Sequence, residues 1–175
     1  MAWVDEATLA RVGVWTDDIE CCDAVEAGAV RRFAQAIMDE SPDYAEGAQT
    51  RFGGPVAPLL FPNHMLRRPL GAPDLVQAQA HKPDFDGVVP QPGLPPLGPL
   101  AQLPVVNGGA EFEFYRHALH GERVRFRQRY AEIRETASSK GPLVVVVIEG
   151  EVRTAAGEVL LRARRTLLRR PEQTA

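Results

Sequence analysis

Four histidines, two cysteines and a row of arginines are the side chains with the most chemical potential in this 175-residue chain. His64 lies in the segment Phe61-Pro62-Asn63-His64-Met65, shortly after a glycine turn, where an imidazole has access to proton transfer near neutral pH. The ordinary alternative for it is a hydrogen-bonded or surface histidine. His117 and His120 stand near a turn between strands, and no cysteine or carboxylate cluster completes a zinc set with them or with His81, so no metal is expected. Cys21 and Cys22 are adjacent, a spacing that rarely supports a structural disulfide, and read as two reduced thiols in a strand. Arg123, Arg125, Arg127 and Arg129 alternate with Val124, Phe126, Gln128 and Tyr130. Guanidinium forks in such a row suit phosphate, or form a solvated outer sheet face. No glycine-rich loop follows a strand and opens a helix, which sets aside a nucleotide fingerprint.

The elements that position these groups are legible from periodicity. In residues 26–38, Ala29, Val30, Phe33, Ala34 and Ile37 recur at three- and four-residue spacing, which predicts an amphipathic helix ended by Ser41-Pro42. Gly53 and Gly54 mark a turn, and a short apolar helix is expected over 59–66. Residues 83–104 hold prolines at 83, 90, 92, 95, 96, 99 and 104, so this long excursion is neither regular helix nor regular strand, and is a covering loop or an irregular one. Residues 111–115 alternate, 123–130 alternate, 143–148 form a continuous β-branched run and 158–169 alternate again. The run at 143–148 reads as a strand covered on both faces. The order predicts an α+β domain in which an antiparallel sheet wraps one helix, the chain forming a single domain over 1–175.

Five stretches in this order resemble the MaoC-like hydratase family, in particular its FAS1-like dehydratase N-terminal branch: VEAGAVRRFAQAIMD (25–39), RFGGPVAP (51–58), NGGAEFEF (107–114), GPLVVVV (141–147) and LLRR (167–170). The resemblance covers residues 19–170 and implies a hot-dog fold acting on acyl-CoA thioesters. Active members of that family share Asp-x-Asn-Pro-x-His. Its carboxylate and imidazole activate water for addition at the β carbon and deliver a proton to the α carbon. Here the stretch is Asp39-Glu40-Ser41-Pro42-Asp43-Tyr44: the aspartate and proline remain, whereas a phenol stands where the imidazole belongs. A phenol has a reference pKa about 3.5 units above that of imidazole, so it is a poor base near neutrality. Active members also carry His-Gly where this chain has Pro58-Leu59, and Pro58 has no N–H to polarise a thioester carbonyl.

The resemblance therefore implies a subunit of an (R)-specific enoyl-CoA hydratase or 3-hydroxyacyl-CoA dehydratase whose own pair, Asp39 and Tyr44, is vestigial. Gly53, Gly54, Asn63 and His64 are the substrate-binding candidates. The implied partners are an acyl-CoA thioester and a homologous hot-dog subunit with an intact Asp/His pair, in a dimer or higher oligomer. The alternatives are a homo-oligomeric hydratase using Asp39 with Tyr44 or His64, and an acyl-CoA-binding module without chemistry. The arginine row then becomes a candidate for the phosphates of CoA. No cofactor is expected. Net charge is −3, which argues against a nucleic-acid partner, although residues 116–170 hold 13 basic and 6 acidic side chains. No run approaches the ~20 apolar residues that cross a bilayer, and no signal-like segment opens the chain, so a cytoplasmic location is expected.

Overall fold

A computed structural model describes residues 3–83, 85, 91–139 and 141–170; of the proline-rich excursion, residues 84 and 86–90 lie outside the described part. After a short helix α1 (Glu6–Leu9), the chain runs through β1 (Ile19–Ala24), α2 (Ala27–Ile37), α3 (Phe61–His64), β2 (Val105–Phe114), β3 (Arg123–Ser138), β4 (Gly141–Thr154) and β5 (Val159–Arg169). The strands make one five-stranded antiparallel sheet in the order β1-β3-β4-β5-β2, and β3-β4-β5 is the meander expected from the alternating segments. This is the hot-dog fold.

Alternation places Val124, Phe126, Val152, Leu161 and Ala163 on the sheet face that carries the helices, where they join Val25, Val30, Phe61 and Met65 in one core. Burying each of the larger side chains contributes about 1.5–3 kcal/mol. Gly150 makes room for the Phe126 ring, which would lie 3.0 Å from an added Cβ and would have to shift. Helix α2 offers Val30 and Ala34 to this core and stops at Met38, whose left-handed backbone (φ 57°) lets its N–H and that of Asp39 close on the last helical carbonyls. Helix α3 is shorter than the expected 59–66, reduced to four residues.

A single helix does not fill the sheet. The other half of the same face (Tyr130, Ile133, Val144, Val146 and Ile148) is covered by residues 91–104, through Leu94, Leu97 and Leu100. We call this segment the strap; it includes a 3₁₀ turn, Gly98–Gln102. Proline carbonyls accept hydrogen bonds, but prolines bring no N–H to form a ladder. Side chains supply the donors instead. Gln128 Nε2 donates to the Pro92 carbonyl (2.5 Å), Tyr130 Oη to Pro95 (2.8 Å), Arg169 Nη1 to Leu100 and Leu103 (2.7 and 3.1 Å), and Arg11 to Pro96. Gly93 (φ 74°) lets the strap enter close beneath Thr16 and Ile19, whose side chains would lie 3.3–3.4 Å from any added Cβ.

The arginine row lies on the outer face of β3, with Arg123 exposed and Arg127 and Arg129 partly covered. Arg127 and Arg129 flank the Trp15 ring at 4.4 and 4.5 Å and pair with Glu151 (2.6 Å) and Glu149 (3.1 Å) on β4. The side chain of Glu151 is only 3% exposed and also accepts from Arg162 Nε at 2.8 Å. Neighbouring glutamates and one indole thus take up guanidiniums that a phosphate would need. Cys21 is buried and Cys22 exposed in β1, both free. No helix among the described residues is long and apolar enough to cross a membrane.

Candidate functional site

Residues 39–44 form a turn held by their own polar groups. Ser41 caps a 3₁₀ turn (Pro42–Tyr44), and its carbonyl accepts from the Tyr44 N–H at 3.1 Å. The turn sends the Tyr44 side chain back toward the end of α2, where its hydroxyl donates to Asp39 Oδ2 at 2.8 Å. Half-buried Tyr44 also packs against the α2 core. Desolvation by burial, then the hydrogen bond to Asp39 and the nearby negative charges of Asp39 and Asp43, push the Tyr44 phenol up to about 12. At pH 7 only about one phenol in 10⁵ would be ionised. The phenol is consequently a fixed donor, and its proton occupies one oxygen of the carboxylate that would otherwise face water.

Beside this turn, an open groove of about 590 Å³ runs between α2 and residues 40–46, lined by Gly28, Arg31, Ala34, Gln35, Pro42 and Tyr44 among others. The glycine loop adjoins it through the backbone: the Val56 N–H donates to the Asp43 carbonyl at 3.0 Å. Gly53 has φ 90°, a conformation that favours glycine, yet a Cβ added at Gly53 or Gly54 would meet no atom within 4 Å. Their side-chain-free surface is thus set by turn geometry rather than by crowding. Pro58 accepts from the Phe61 N–H at 2.8 Å and begins the approach to α3.

Asn63 and His64 are placed differently. Both are exposed on α3, and no hydrogen bond or ring contact joins either to Asp39 or Tyr44. His64 lies against Phe33 and Phe61, and its Nδ1 faces Arg67 Nη2 at 2.8 Å. A guanidinium only donates, so Nδ1 is the acceptor and the proton sits on Nε2. Burial, followed by the Arg67 charge, pulls the His64 pKa below its ordinary value. In this arrangement the Nδ1 lone pair of His64 is engaged by Arg67, and the ring stands apart from Asp39 and Tyr44.

Two polar features are not evident from the sequence pattern. His117 Nδ1 meets the Ala57 carbonyl at 2.7 Å and its ring lies 5.4 Å from Phe52, so the loop between β2 and β3 is stitched to the glycine loop. Arg165, half-buried on the helix-bearing face, donates to Gln91 Oε1 (2.9 Å) and Gln128 Oε1 (3.4 Å) with no acidic partner among the described residues. Desolvation lowers its pKa. Its parity with Leu161, Ala163 and Leu167 was the available signal. Among the described residues, no three His, Cys, Asp or Glu side chains gather into a metal site.

The family model of the FAS1-like dehydratase domain region matches residues 10–163. The chain belongs to the FAS1-like dehydratase family. No curated protein matches it. Solved structures resemble it across nearly the whole chain. One is the ChsH1-ChsH2 complex of Mycobacterium tuberculosis, with TM-score 0.71 and 19% identity, covering 97% of this chain and 92% of the other. A MaoC-like dehydratase of Rhodospirillum rubrum has TM-score 0.58 and 22% identity, with coverage of 92% and 94%. The HadBC (3R-hydroxyacyl-ACP dehydratase) complex of M. tuberculosis has TM-score 0.56 and 20% identity, with coverage of 95% and 99%. These likenesses establish the MaoC-like hot-dog fold. Within that fold, the Asp39–Tyr44 turn sets a carboxylate against a phenol hydroxyl at 2.8 Å.

Proposed function

We propose that this FAS1-like dehydratase chain is the non-catalytic subunit of an (R)-specific enoyl-CoA hydratase or 3-hydroxyacyl-CoA dehydratase, paired with a homologous hot-dog subunit that carries an intact Asp/His pair. The observation that carries this reading is the Tyr44 hydroxyl donated to Asp39 at 2.8 Å, with a pKa pushed up to about 12. General acid/base catalysis works best when the exchanging group titrates near the operating pH. This pair does not. Pro58 offers no N–H to a thioester oxygen, and His64 is engaged by Arg67.

The exposed edge of the sheet supports the partner. Strand β2 has β5 on one side and no strand among the described residues on the other, and nine of its ten residues are exposed, including Phe112 and Phe114 at 39% and 38%. An edge of this length carrying apolar side chains invites strand addition by another chain. Two of the similar structures, ChsH1-ChsH2 and HadBC, are described as complexes, which agrees with that arrangement.

The test is an enoyl-CoA hydration assay on the purified chain and on a complex made by co-expression with a hot-dog subunit bearing Asp-x-Asn-Pro-x-His. The complex should turn over at least about 10²-fold faster than the chain alone, the lower range for a lost acid/base group. Robust turnover by the chain alone, abolished in Asp39→Ala, would overturn the proposal.

A further inference from the structure

One edge of the sheet is covered by its own chain and the other is left open. Along β3, beyond β1, the N-terminal segment is the neighbour. The Gly13 N–H donates to the Tyr130 carbonyl (2.8 Å), the Thr16 N–H to Gln128 (2.9 Å), and the Trp3 and Val4 N–H groups to the Glu135 carboxylate. Strand β2 has no such cover among the described residues, so an added strand has one place to pair. The bulge at Gly108, where a Cβ would meet Thr166 at 3.0 Å, confines regular pairing to residues 109–114.

Within those residues the two faces differ in chemistry. Phe112 and Phe114 stand opposite Ala163 and Leu161 on the helix-bearing face, their rings near parallel at 6.2 Å. Glu111 and Glu113, both exposed, stand opposite Arg164 and Arg162 on the other face. Both arginines reach away from β2 toward the middle of the sheet, Arg162 Nε to Glu151 of β4 (2.8 Å) and Arg164 Nη2 to Glu132 of β3 (3.8 Å). Glu113 accepts the Tyr115 hydroxyl (2.6 Å), and Glu111 has no hydrogen bond or ion pair among the described residues. Beside them is an open groove of about 510 Å³, lined by Glu111, Glu113, Glu149, Arg129, Arg162 and Arg164 among others. Its arginines are paired with Glu149, Glu151 and Glu132, so the two carboxylates of β2 are the outermost charges of the open edge.

A second copy of this chain suits the apolar face and not the acidic one. Directly opposed residues of an antiparallel pair point to the same face of the sheet. Registers that set Phe112 against Phe112 or Phe114 of a second copy therefore also set Glu111 against Glu113, or Glu113 against Glu113. Like charges directly opposite destabilise a strand pair. We propose that Glu111 and Glu113 select the partner of the β2 edge. They disfavour a second copy of this chain and favour a hot-dog subunit whose edge strand carries lysine or arginine on that face and apolar side chains on the other. The inference deepens the heteromeric reading above and rests on it for the fold of the partner.

The test uses the full chain and a charge-reversed version, Glu111→Lys with Glu113→Lys, each followed by sedimentation equilibrium at low and at high salt. An equimolar mixture should form a one-to-one pair at least about tenfold tighter than either chain forms with itself, the advantage shrinking at high salt. Glu111→Gln with Glu113→Gln removes the repulsion without adding a charge. It should strengthen self-association at least about threefold, and serves if the lysine version does not fold. Phe112→Ser should weaken the mixed pair and so locate it at β2. A wild-type chain that pairs with itself as tightly as the mixture pairs, glutamine variants with unchanged self-association, or a mixed pair indifferent to a folded Phe112→Ser chain overturns the inference. The wild-type and charge-reversed chains are then each co-expressed with a hot-dog subunit bearing Asp-x-Asn-Pro-x-His and a basic edge strand, and charge reversal should reduce assembly and enoyl-CoA hydration together. A complex that hydrates equally well with the charges reversed overturns the selectivity while the hydratase reading stands. A complex that assembles by this charge rule and never hydrates enoyl-CoA removes the hydratase reading and leaves the selectivity of the edge standing.

Discussion

The two halves of the sheet's inner face are covered by different physics. Beneath α2 and α3 the contact is almost wholly apolar, with Val30 and Phe61 set among Val124, Phe126 and Leu161, because a helix satisfies its own backbone and can present a clean apolar stripe. Beneath the strap, inward-facing positions include Gln128, Tyr130, Arg165 and Arg169. A proline-rich segment cannot satisfy its carbonyls internally, so the sheet must supply donors, and polar side chains occupy positions that would otherwise be apolar. A polar residue on a buried strand face can thus report the kind of segment lying over it. Gln128, with 0% of its surface exposed, is the clearest example.

The largest effect is expected on the helix side. Phe61→Ala removes a fully buried ring packed edge-to-face on Phe33 at 5.5 Å, and should cost about 3–5 kcal/mol in urea unfolding, lowering the whole transition. Leu100→Ala under the strap is expected to cost about 2–4 kcal/mol. Its signature should be local as well as global: faster limited proteolysis within 91–104 than elsewhere, since the strap forms no ladder with the sheet. Equal acceleration everywhere would mean that the two halves behave as one unit. Tyr130→Phe, which deletes only the hydroxyl bonded to Pro95, should cost about 1 kcal/mol and act through the strap alone.

Smaller effects are expected around α2, within the helix-covered half. Met38→Gly should stabilise the chain by roughly 0.5–1 kcal/mol, because the left-handed C-cap at φ 57° suits glycine and the methionine side chain is 90% exposed. Tyr44 has a folded pKa raised above its unfolded value of about 10. Any stability linked to it is therefore complete below pH ~10 and lost as pH rises from there through about 12. Absorbance titration should show one phenol ionising near 12 in the native protein and near 10 in urea, and Tyr44→Phe should remove that late step. A native phenol titrating at about 10 in that position would contradict the Asp39 hydrogen bond.

Much of this molecule was legible before folding. The spacing of Val30, Phe33 and Ala34 dictated α2, and the alternation at 123–130 dictated which face of β3 is buried, because helix and strand periods are properties of the local backbone. That a carboxylate at 39 and a phenol at 44 flank Ser41-Pro42 was likewise readable, since residue chemistry needs no coordinates. What neighbours each group was not. Whether Arg127 and Arg129 faced solvent or phosphate depended on Glu151 and Glu149, 24 and 20 residues away in sequence, and on Trp15 arriving from the N-terminal segment. The direction of the His64 proton depended on Arg67, and the seating of residues 91–104 on the sheet depended on donors from β3 and β5. Local periodicity and the available chemical types are written in the chain itself. Partners, cavities and proton positions came with the folded arrangement alone, because they depend on distances between segments that no local pattern encodes.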